Sequence, residues 1–139
     1  MSKKTEEIKD KKGNIIALVI YKSYHKRGTT FFTPKNFSHQ LAFISRKKGE
    51  IIKAHSHKKI NVKITSTQET IFIKKGKVTI DLYDEKKNYL TSRILTSGDV
   101  ILLASGGHGF KALDILEMVE VKQGPYISDN YKIIYDTGK

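Results

Sequence analysis

The chain reads Thr67-Gln68-Glu69-Thr70-Ile71-Phe72-Ile73, then Lys74-Lys75-Gly76, then, after Lys77, Val78-Thr79-Ile80-Asp81-Leu82-Tyr83. Both flanks have the length of a strand and are rich in β-branched and aromatic residues, and a lysine–glycine turn signal separates them. The same grammar extends outward. Towards the N-terminus, strands are expected over 14–21, 41–45 and 51–57; towards the C-terminus, over 89–95, 100–104, 115–121 and 131–135. Their separators include Lys47-Lys48-Gly49, Asp84-Glu85-Lys86-Lys87-Asn88, Ser97-Gly98-Asp99, Ser105-Gly106-Gly107 and Gly124-Pro125. Short strands about ten residues apart, with no long helical period, predict an all-β sandwich or barrel. Residues 35–40 leave room for one helical turn at most.

A chain of 139 residues fits one domain. Residues 1–12 are charged and nearly free of large apolar groups, so they are expected to form a disordered basic N-terminus ahead of a β-barrel domain over 13–139. There is no cysteine. That rules out disulfides, thiolate zinc sites and iron–sulfur clusters, and it agrees with a reducing compartment. No apolar run approaches the ~20 residues needed to span a bilayer, and Met1-Ser2-Lys3-Lys4-Thr5-Glu6 has no signal-peptide hydrophobic segment. The expectation is a cytoplasmic protein with no membrane partner.

The formal charge of +12 raises the question of nucleic acid. Only Arg27, Arg46 and Arg93 among the 26 basic residues are arginines, so 23 are lysines, scattered along the chain. Recognition of guanine and phosphate favours clustered arginine with interleaved aromatics. No nucleic-acid partner is expected. The positive field suits the steering of an anionic small molecule instead.

Five histidines are present. His25 and His39 read as ordinary surface or hydrogen-bonded residues. His55-Ser56-His57 differs: in a strand, alternation puts both imidazoles on one face, near enough to converge on one ion. Glu69 shares a face with Ile71 and Ile73, where a carboxylate is costly unless paired, protonated or bound to a cation. His108 follows an apolar run and is flanked by Gly106, Gly107 and Gly109. Three imidazoles and one carboxylate would suit a divalent ion such as iron, manganese, nickel, cobalt or zinc. The same groups could instead hydrogen-bond one another with no metal.

These residues resemble the motifs of the cupin superfamily. The first cupin motif corresponds to Gly49, five residues, His55-x-His57, a gap of eleven residues, Glu69, six residues and Gly76. The second corresponds to Gly98, five residues and Ala104-Ser105-Gly106-Gly107-His108, with Ala104 where proline is usual and Ala112 where asparagine is usual. A wider likeness covers about 13–136, through Phe32-Thr33-Pro34, Phe37-Ser38-His39-Gln40-Leu41, Tyr83-Asp84, Gly109-Phe110 and Glu120-Val121-Lys122-Gln123-Gly124-Pro125-Tyr126. It is to small stand-alone bacterial cupins found beside genes for surface-polysaccharide and nucleotide-sugar synthesis. The resemblance implies a single-domain cupin, a double-stranded β-helix or jelly-roll barrel, with one divalent metal ion on His55, His57, Glu69 and His108.

Three functions follow from that resemblance. The first is a metal-dependent enzyme, isomerase- or oxygenase-like, acting on a small anionic or sugar-derived substrate, with Tyr126 or Lys122 near the barrel mouth. The second is a metal-free sugar-nucleotide isomerase or epimerase, since His55-Ser56-His57-Lys58 is similar to the His-x-His-Lys of such ketoisomerases. The third is a non-catalytic sugar- or metal-binding module. Barrels of this type often pair, so a homodimer is expected, with the strand over 14–21 as a candidate edge.

Overall fold

The computed structural model describes residues 3–137. Ten strands follow one another: β1 (Thr5–Lys9), β2 (Ile15–Ile20), β3 (Gly28–Phe31), β4 (Ala42–Ser45), β5 (Glu69–Lys75), β6 (Lys77–Tyr83), β7 (Tyr89–Thr96), β8 (Val100–Leu103), β9 (Gly107–Ala112) and β10 (Glu117–Lys122). A 3-10 turn over Asp129–Tyr131 comes last. The architecture is all-β, and every strand pair is antiparallel. The strands form a five-stranded sheet in the order β1-β2-β8-β5-β10, a three-stranded sheet β7-β6-β9 and a two-stranded sheet β3-β4. They do not join into the closed barrel expected from the sequence: β10 ends one sheet and β9 ends another.

The sequence explains the layering. In β2 and β8 apolar residues run without alternation, and Ile16 through Ile20 and Ile101 through Leu103 are buried, as central strands covered on both faces must be. In β5 and β6 the pattern alternates. Ile71 and Ile73 from one sheet and Val78, Ile80 and Leu82 from the other point inward and form one core with Val19, Leu95 and Ile101. Each buried aliphatic side chain contributes about 1.5–3 kcal/mol. The chain passes from the first sheet to the second at Gly76, where φ is 91° and any Cβ would lie 2.0 Å from the Ile115 carbonyl oxygen.

The N-terminus is not disordered where it is described. Thr5–Lys9 pairs along β2, and Ile8 is buried in the core. Charge hid the strand in the sequence, yet charge fixes it. Arg93 on β7 donates from Nε to Glu6 Oε1 at 2.8 Å and from Nη2 to Glu6 Oε2 at 2.6 Å. The Tyr21 hydroxyl donates to Glu6 Oε1 at 2.8 Å. The Arg93 hydrogen bond is the main reason the Glu6 carboxyl falls to about 2. This strand also makes β2 an internal strand, between β1 and β8, so 14–21 is not a free edge.

Three further differences matter. No strand forms over 51–57; the chain between β4 and β5 is irregular, and residues 46–66 are all exposed. Lys53-Ala54-His55-Ser56-His57-Lys58-Lys59 has almost nothing apolar to bury. The expected strand over 131–135 is absent, replaced by the 3-10 turn and an extended tail. β3 and β9 were not anticipated; the start of β9 read as part of the turn signal Ser105-Gly106-Gly107. Among the described residues no helix is long and apolar enough to cross a membrane.

Two hairpins close with the same turn. In Asp10–Asn14, the Asp10 Oδ1 accepts from the amides of Lys12 and Asn14, both at 2.9 Å, and the Asn14 amide group donates to Asp10 Oδ2 at 3.0 Å. In Asp84–Asn88 the same three bonds recur at the same distances. The fourth position is left-handed in both: Gly13 at φ 86° and Lys87 at φ 70°.

The Glu6 cluster sets an acid limit on stability. A carboxyl lowered from 4.5 to about 2 stabilises the fold above the unfolded value and loses that contribution as pH falls from 4.5 towards 2. Glu6→Gln should cost on the order of 2 kcal/mol at neutral pH. It should also flatten the decline of stability below pH 4.5. Urea unfolding of both proteins at neutral and acidic pH checks this.

Candidate functional site

β5 and β10 pair so that Glu69 lies opposite Lys122 and Ile71 opposite Glu120. Residues opposite each other share a face. Glu69, Glu120 and Lys122 therefore lie on the inner face, at the end of β5 where the aliphatic run stops. On the other sheet, His108 lies opposite Leu82 and Phe110 opposite Ile80, both inward-facing. The two inner faces meet at one contact: His108 Nε2 is 2.5 Å from Glu69 Oε1. The side chains keep 29% and 13% exposure respectively.

Glu120 completes the cluster through a side-chain hydrogen bond to Glu69. The His108 contact, against the cost of burial, takes the Glu69 carboxyl down to about 2. Glu120 moves the other way, raised chiefly by its hydrogen bond to Glu69 and then by burial. Of the two carboxyls, Glu69 is the ionised one and Glu120 the better proton holder. The charge of Lys122 favours ionisation of both.

His55 and His57 lie elsewhere, on the exposed segment between β4 and β5. Their rings are 5.3 Å apart, and His55 Nδ1 is 2.7 Å from the Lys53 carbonyl oxygen. The structure thus brings Glu69 to His108 and His55 to His57, but not one pair to the other. Among the described residues no three histidine, aspartate or glutamate side chains are grouped to hold a metal. A divalent ion of this ligand class needs three or four protein donors. The residues as placed do not meet that requirement.

His25 packs edge-on to Phe43, and the His39 amide donates to Gln68. Gln68 is buried, and its own amide donates to Gln123 Oε1 at 2.8 Å. It borders a cleft of about 520 Å³ that Asn14, Phe37, Ser38 and Ser105 also line, separate from the charged cluster. Tyr126 is exposed, with its hydroxyl on Asp129, and does not cap the site. Lys122 is half-exposed, 3.9 Å from Glu120.

The C-terminal tail, expected from the sequence as a strand over 131–135, crosses this end of the molecule instead. The Tyr131 hydroxyl contacts that of Thr67, next to the start of β5. Tyr135 lies edge-on to Tyr83 at 5.4 Å between centroids, under Lys87 Nζ and against Gly107. Lys132 lies near enough to Glu120 for its charge to be felt. Glu120 was overlooked. The one available signal was alternation within 115–121, which sets a carboxylate between Val119 and Val121.

No protein family matches the chain, and comparison with curated proteins and with solved structures gives no match either.

A Cβ on Gly107 would lie 2.4 Å from the Tyr135 ring, so Gly107→Ala must displace the tail. Tryptic cleavage at Lys132 should quicken by roughly tenfold, or about 1.4 kcal/mol of local opening. Tyr135→Ala should do the same, with the urea midpoint of the core nearly unchanged in both.

Proposed function

We propose that this chain is a cupin-type protein that acts on a small anionic, sugar-derived molecule by proton transfer at Glu69, His108 and Glu120. The observation that carries the proposal is the 2.5 Å contact between His108 Nε2 and Glu69, with a protonation-prone Glu120 beside it. A neutral imidazole that donates its Nε2–H to Glu69 keeps the lone pair of Nδ1 free. That nitrogen is the base: it takes a proton from a carbon or hydroxyl of the substrate. Glu69 holds the ring in this tautomer and stabilises the imidazolium that forms. The Glu120 carboxyl is placed to return a proton. The overall positive charge draws an anionic substrate inward, and Lys122 and Lys132 border the cluster.

Incubation with keto-deoxysugar nucleotides in heavy water, followed by proton NMR of the ring positions, tests this reading. Exchange or epimerisation is expected, and His108→Ala or Glu69→Gln should slow it by about 10²–10⁴-fold. If no anionic sugar derivative in a panel exchanges or converts, the catalytic reading fails. Thermal stabilisation by a sugar without turnover would then leave a binding module.

A second reading is favoured by the neighbouring, edge-on rings of His55 and His57. In it, the four residues His55, His57, Glu69 and His108 hold one divalent ion once the segment over 46–66 brings its imidazoles to the other pair. Elemental analysis of protein purified without chelators should then find one metal per chain. A protein that neither carries nor takes up manganese, iron, cobalt, nickel or zinc would sink this reading.

A further inference from the structure

Residues 46–66 are exposed throughout, and Ile51, Ile52, Ile60, Val62 and Ile64 stand between 48% and 83% exposed. Strandless segments this long are uncommon inside a compact domain, and a run of uncovered aliphatic side chains marks a contact surface. The two-layered body has a matching defect. β9 pairs with β6 on one side only. Its inner face carries Phe110, opposite the fully buried Ile80, yet Phe110 stays 39% exposed, and Lys111 and Ala112 beyond it are open. An inward-facing aromatic in water means that a strand is missing from the wall there. The C-terminal tail covers only the Gly107 end of the gap.

Residues 51–57 fit that gap. They number seven, one more than the six residues of β9. Alternation puts Ile51, Lys53, His55 and His57 on one face and Ile52, Ala54 and Ser56 on the other. Added to the free edge of β9, the first face turns inward, with Ile51 able to cover apolar surface and the imidazoles directed towards His108. Charge agrees as well. Residues 51–66 hold four lysines and no carboxylate, whereas Glu69 and Glu120 lie on the inner face beside His108 of β9. Within one chain the segment is exposed and pairs with no strand, and β9 pairs only with β6. Two copies related by a two-fold axis exchange segment for gap and leave neither uncovered.

We infer that residues 51–57 of one chain add as a strand to β9 of a second copy. His55 and His57 of one protomer thereby face Glu69 and His108 of its partner, and each dimer has two composite sites. This deepens the second reading above, but the strand exchange is tested without any metal.

The absence of cysteine makes the test direct. Ala54→Cys in one tagged chain and Lys111→Cys in a differently tagged chain are co-expressed and treated with a short bis-maleimide. Each chain paired instead with Lys11→Cys, in the β1–β2 turn, controls for random linking. The expected result is a covalent dimer carrying both tags, absent in the control, and a light-scattering mass of twice the 15.8 kDa chain. The inference is overturned by a monomeric mass, by a dimer that gives no 54–111 link, or by a chain bearing both substitutions that links only to itself. A linked dimer that binds no divalent ion would uphold the exchange while removing the metal reading.

Discussion

The register of β5 between β8 and β10 is the constraint on which the rest of this molecule depends. Glu69 sits opposite Leu103 on one side and Lys122 on the other. Side chains alternate with a period of two, so a slip of one residue would turn Glu69 to the outer face and drive Thr70 and Phe72 into the core in place of Ile71 and Ile73. The buried isoleucines hold the register, and the register delivers a carboxylate to an apolar face. That placement is tolerable because an imidazole arrives from the other sheet. Core packing and the charged cluster are thus two results of one alignment.

The two sheets are fastened along opposite margins by different chemistry. On one margin, β1 ends the five-stranded sheet and β7 ends the three-stranded sheet, and Glu6 and Arg93 join them through a two-pronged ion pair. On the other, β10 and β9 are the terminal strands, and the Glu69–His108 contact bridges the layers beside them. The first fastening is saturated with partners, with Tyr21 and Lys3 also donating to Glu6. The two pairs are about equally exposed, and the second adds a further carboxyl, Glu120, to its pair.

Much of this was legible in the sequence, and the failures have physical causes. Continuous apolar runs marked β2 and β8, and alternation marked β5 and β6 and set Glu69 among isoleucines. β1 was invisible because its one buried side chain, Ile8, is surrounded by charges whose partners lie far along the chain. β9 was invisible because its start, Gly107, read as punctuation, although the space it leaves admits Tyr135 on one side. The strand over 51–57 was expected from its length after the turn signal Lys47-Lys48-Gly49; local composition offers too little apolar surface to hold it there alone. Glu69 and His108 were grouped by residue type as possible ligands of one ion, and the resemblance to cupin motifs gave them matching positions; no local pattern connects them. Glu120 and the tail residues Tyr131 and Tyr135 act through tertiary contacts that short-range periodicity does not encode.

The twin turns at Asp10–Asn14 and Asp84–Asn88 bear on how such a chain organises itself. Each joins two strands that are neighbours in sequence, one hairpin in the five-stranded sheet and one in the three-stranded sheet. Closing so short a loop costs little chain entropy compared with joining β2 to β8 or β5 to β10 across long stretches. Each layer therefore has one inexpensive seed, stamped from the same five-residue die. The remote pairings can be laid against edges already in place.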